Sequence, residues 1–129
     1  MNPLSKNFVR ASLVYFFIAA ILGTIMIFMR NYPAHLLFTH VHLNLLGWMS
    51  MMIYGVGYHI LPRFSGTPLA YPKVGNIQFY VANIGLVGLV CFRPIHPLAE
   101  IFASLQVISV GLFVFNIWMS LIPPKPEPE

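Results

Sequence analysis

The chain has 129 residues, 58% of them hydrophobic and only 8% charged, with a mean hydropathy of +0.78. A soluble domain carries roughly 25% charged residues, so this composition excludes an ordinary soluble protein and points to an integral membrane protein. Seven Lys and Arg against three acidic residues give a net charge of +4, but the cations are scattered, and nucleic-acid binding needs them clustered on one surface.

A spanning helix needs about 20 mostly apolar residues, and four segments qualify, which predicts an all-α membrane four-helix bundle. The first span runs from about Phe8 to Met29; its apolar stretch is longer than the core of a signal peptide, and no small-x-small cleavage site follows. The second runs from about Leu36 to Leu61, ending before Pro62. The third, from about Asn76 to Phe92, is the shortest and contains Gln78 and Asn83, yet "IGLVGLVCF" carries it as a span. The fourth runs from about Leu98 to Ile122, and the tail "PPKPEPE" reads as an extended, disordered segment over 123–129. Proline punctuates every break, because it cannot continue a helix. Cys91 is alone, so there is no intrachain disulfide and no CxxC motif; it reads as a small packing residue.

Cationic residues accumulate on cytoplasmic loops. Lys6, Arg10, Arg63, Lys73 and Lys125 fall on one side of the four spans and only Arg30 and Arg93 on the other. Both termini are therefore expected in the cytoplasm, in a bacterial inner membrane. That orientation puts His35, His40, His42 and His96 toward the periplasmic side, with only His59 at the cytoplasmic end.

Ionisable residues within a membrane are expensive and usually face a protein interior or a cofactor. His40 and His42 lie ~6 to 9 Å inside the second span, and in a regular helix they stand about 200° apart. They cannot both grip one ion. His35 and His42 share a face but are ~10 Å apart, and no Cys or carboxylate completes a tetrahedral zinc site. A heme asks for less: one imidazole per face of a flat apolar ring, in a groove lined by small residues. Asn44 and Gly47 continue the His40 stripe at i+4 and i+7, followed by Tyr54, Gly55 and Tyr58. The candidate cofactor-binding set is His40, His42, His96, Asn44 and Gly47, with His40 and His42 as metal ligands. His96, the other histidine of the second span, or a second subunit would supply the other axial position. Plain helix packing for the glycines, inter-helix hydrogen bonding for Asn44 and a cap or surface role for Glu100 stand beside this reading.

The stretch "FTHVHLNLLGWMSMMIYGVGYHILPR", Phe38 to Arg63, resembles the second transmembrane helix of the catalytic subunit of heme-copper oxidases and nitric oxide reductases. It is similar also to short, oxidase-subunit-like bacterial membrane proteins carrying an "HxHLNLLGW" segment. His40 heads the run, Gly55 and Gly57 form its Gly-x-Gly, and Pro62 ends it; "RASLVYFFIAAILGTIMIFM" is similar to the family's first helix. The resemblance implies a b-type heme on the second helix with His40 as ligand, His42 being a close rival. The family's catalytic metal site needs further histidines on later helices, and the third and fourth spans contain none. Oxygen or nitric oxide reduction by this chain alone is thus not expected.

Three functions compete. The first is a heme b protein for electron transfer or gas binding, a homodimer in the lipid bilayer with a respiratory-chain redox partner or quinone. The second is a cofactor-free accessory or assembly subunit of a respiratory complex. The third is copper handling, with Met26, Met29, Met49, Met51 and Met52 as soft ligands beside the histidines.

Overall fold

The computed structural model describes residues 1–123, all of whose regular structure is helical; the expected Pro-rich tail lies, from residue 124 on, outside the described residues. Four helices are long and apolar enough to cross a membrane: α1 (Pro3–Met29), α2 (Ala34–Ser65), α3 (Pro72–Phe92) and α4 (Leu98–Ser120).

Local chemistry sets most of their ends. At α1 the Asn2 side chain accepts the Ser5 N–H at 2.7 Å and Pro3 occupies the first turn, where a missing N–H loses nothing. That cap starts the helix ahead of its apolar stretch, so it begins at Pro3 rather than near Phe8. The second helix likewise does not stop before Pro62. It runs on to Ser65 and ends at Gly66, whose φ of 66° is left-handed. There Gly66 N–H bonds the Arg63 carbonyl and Thr67 N–H the Pro62 carbonyl, the paired bonds of a Schellman cap. Pro62 lacks the N–H that would bond the Tyr58 carbonyl, and the helix runs on past that lost bond to its cap.

The middle of α2 departs from α-helical winding. Leu43–Ser50 is π-helical, and the Ser50 hydroxyl reaches back five residues to the Leu45 carbonyl at 2.8 Å. Each π turn holds an extra residue, so the residues below Ser50 are rotated relative to those above Leu43.

Packing joins α1 to α2 along their length and α3 to α4 as a second pair; α4 touches α2 only through its Met51–Ser65 half. The close approach of α3 and α4 depends on Gly88, because a Cβ there would run into the Phe102 ring. One core cluster gathers Phe8, Met51, Tyr54, Tyr58 and Ile117, with Phe79 and Phe113 packed against it. A smaller one, Ala19, Leu43 and Leu86, lies nearer the histidines. The core also contains polar groups. Tyr58 donates to Gln78 at 2.8 Å, and Gln78 donates to Ser109 at 3.3 Å. The Asn116 side chain bonds both backbone groups of Tyr71, at 3.0 and 2.9 Å, tying the α2–α3 connection to α4.

The outside is apolar. Phe17, Ile27, Phe28, Val107 and Trp118 are each more than two-thirds exposed. Such a surface would aggregate in water and is the natural outside of a bundle whose solvent is lipid.

Candidate functional site

His40 points from α2 into a notch on α1. Its Nδ1 lies 2.8 Å from the Ala19 carbonyl oxygen. A carbonyl only accepts, so the proton sits on Nδ1, and in the neutral ring Nε2 keeps its lone pair. Asn44, one turn on, donates to the His40 carbonyl at 2.8 Å and brings the same amide nitrogen to 3.5 Å from Nε2, a contact too long to hold that lone pair firmly. The ring fits because Gly23 has no side chain: a Cβ there would stand 2.8 Å from His40 Cε1. Beside the ring opens a cleft of about 620 Å³, lined by Ala20, Gly23, Thr24, Met26, Ile27, Arg30, Tyr32, Leu37 and His40.

His42 faces elsewhere. Its Nδ1 lies 2.8 Å from the Phe38 carbonyl, and its ring stacks on the Phe38 ring at 3.8 Å. The Arg93 guanidinium lies over the Phe38 ring at 4.7 Å, which ties this part of α2 to the end of α3. A second cleft of about 490 Å³ on that side is lined by His35, Thr39, Cys91 and Arg93 among others.

The other candidates are not brought to His40. Gly47 is buried, and what approaches it is protein: a Cβ there would lie 2.7 Å from Tyr15 Cβ and Cγ and 3.1 Å from Leu86 Cδ2. His96 is exposed and paired with Glu100, the carboxylate one turn along α4, and it does not line the His40 cleft. Among the described residues no three His, Cys, Asp or Glu side chains gather into a metal-binding group. Met26, of the methionines considered for copper, lines the cleft with His40.

No family model, curated protein or solved structure matches the chain. Its chemistry is therefore read from the site. The donor set fits a porphyrin iron better than a bare ion. His40 and His42 each have Nδ1 anchored on a carbonyl, the arrangement that orients histidine ligands, and of the two His40 lines the cleft with the largely apolar wall. A bare ion would need three or four such donors.

Ala19, Gly23, Arg30 and Tyr32 were not among the residues singled out from the sequence. The available signal was the small-xxx-small spacing of Ala19 and Gly23, which marks where a neighbouring helix comes close but does not name the side chain that fills the gap.

Proposed function

We propose that the protein is a membrane b-type heme protein, with His40 as the iron ligand contributed by this chain, acting in electron transfer or in binding a small gas such as nitric oxide. The observation that carries this reading is the His40 ring itself, which lines the cleft with Nδ1 committed to the Ala19 carbonyl and Nε2 approached only by the Asn44 amide at 3.5 Å. Bound heme supplies a one-electron couple and, where one coordination position stays open, a place for a gas ligand. The wall beside it is apolar, with Ala20, Ile27 and Leu37, and the Ala19 carbonyl fixes the orientation of the imidazole in the Gly23 notch. This chain offers one well-oriented imidazole there, and a further iron ligand would come from Met26, from a second copy or from a partner subunit. No catalytic activity is assigned to the chain alone. We place the site on the periplasmic side of a bacterial cytoplasmic membrane, on the strength of the cation bias alone.

The test is the visible spectrum of the detergent-purified protein, oxidised and dithionite-reduced, for wild type, His40→Ala and His42→Ala. Sharp reduced α and β bands are expected in wild type and in His42→Ala, and their loss in His40→Ala. Colourless protein from heme-replete cells would sink the reading. Met26 in the same cleft favours copper(I) as the second reading, which stoichiometric metal analysis of such colourless protein would reveal.

A further inference from the structure

The lining of the cleft beside His40 mixes apolar and polar residues. Ala20, Gly23 and Ile27 line it from α1, and Arg30 and Tyr32 line it from the connection between α1 and α2. The backbone that presents Arg30 is strained. Arg30 has φ 56° and ψ −42°, and across it the Asn31 N–H donates to the Met29 carbonyl. This is a γ-turn of the positive-φ kind, rare and unfavourable for a residue with a Cβ, which glycine would adopt freely. An arginine held there, lining the same cleft as His40, is the kind of outlier that marks a binding site. The one carboxylate among the described residues, Glu100, is engaged by His96, so Arg30 is not answered by an acidic side chain there.

We infer that Arg30, with Tyr32 beside it, binds the carboxylate groups of the ligand. The inference rests on the heme reading above and deepens it: the two propionate carboxylates of a b-type heme sit toward the α1–α2 connection, and its apolar edge toward Ala20 and Ile27. A guanidinium presents its donors as a planar fork that meets a carboxylate bidentately, and the Tyr32 hydroxyl adds a neutral donor. At the edge of a bilayer such a pair is less screened than in water.

The experiment uses the full chain in detergent, freed of bound heme and titrated while the Soret band is followed. The two probes are hemin and hemin dimethyl ester, whose carboxylates are masked as neutral esters. Wild type is expected to bind hemin about ten-fold more tightly than the ester, Arg30→Gln to bind the two alike, and Arg30→Lys to keep part of the preference. Arg30→Gly serves where Arg30→Gln does not fold: it relieves the turn, so it is expected to melt higher than wild type and still lose the preference. Equal binding of both probes by wild type would overturn the inference. So would a preference for hemin that survives in Arg30→Gln or Arg30→Gly; Arg30 would then be an interfacial cation facing lipid headgroups. Binding of neither probe by wild type would remove the heme reading itself, and this inference with it.

Discussion

A methyl group added at Gly23 would lie 2.8 Å from His40 Cε1, and the ring cannot retreat without giving up the Ala19 carbonyl. Gly23→Ala is therefore expected to cut the reduced α band of the purified protein by more than half at unchanged helical content by circular dichroism; an undiminished band would show that the notch does not position the ligand. His40 was legible from the sequence as an imidazole in a span, at the head of a stretch resembling a heme-binding helix. Its anchor was not, because Ala19 lies 21 residues away and a backbone carbonyl leaves no signature in a side-chain pattern. Gly47 shows the opposite limit. Its spacing from His40 pointed toward the cofactor, yet Tyr15 and Leu86 take its space, since a glycine in a membrane helix says that something comes close without saying what.

At the scale of the helix, buried polar side chains in α3 and α4 decide how the pieces lock. Gln78 is fully buried and bonded on both sides, to Tyr58 and Ser109. Gln78→Leu removes both bonds and should destabilise the bundle by about 0.6 kcal/mol for each, the average for hydrogen bonds inside membrane proteins. Adding Tyr58→Phe should recover part of that loss, because one orphaned hydroxyl goes with it. Melting temperatures in one detergent compare the three proteins. Ser5 makes the contrast: its hydroxyl is buried with no hydrogen-bond partner among the described residues, so Ser5→Ala should leave the melting temperature unchanged or raise it. The sequence displayed Gln78 as a blemish in the weakest span. The fold turns it into a cross-link, which becomes visible only when three helices meet.

Across the whole molecule the usual order is inverted, with large apolar side chains outside and amides and hydroxyls among the buried residues. Hydrocarbon offers the exterior no polar partners, whereas inside the bundle the buried amides and most of the buried hydroxyls find one, and this is why the arrangement holds in lipid. Four crossings would put Met1 and Pro123 on one side of a membrane. The bias of Lys6, Arg10, Arg63, Lys73 and Lys125 against Arg30 and Arg93 predicts that this side is the cytoplasm. Green fluorescent protein fused to either end should fluoresce, and alkaline phosphatase fused to either end should be inactive. The reverse pattern would turn the histidine end inward and remove the periplasmic placement of the site.

Composition and span length determined by themselves that the chain is a set of four apolar helices, since burying roughly 20 consecutive residues in hydrocarbon is a property of each segment alone. Pro62 marks the end of the second span too early, at Leu61, whereas the helix runs on to Ser65 and its cap at Gly66. Three things were decided only by tertiary structure: the π winding of Leu43–Ser50, the anchoring of His40 on Ala19, and the meeting of Arg30, Tyr32 and His40 around one cleft. Each depends on what a neighbouring helix presents at a given depth. A periodicity read along one helix carries the direction in which a side chain leaves its own axis, and the distance and chemistry of what it meets belong to the other helix.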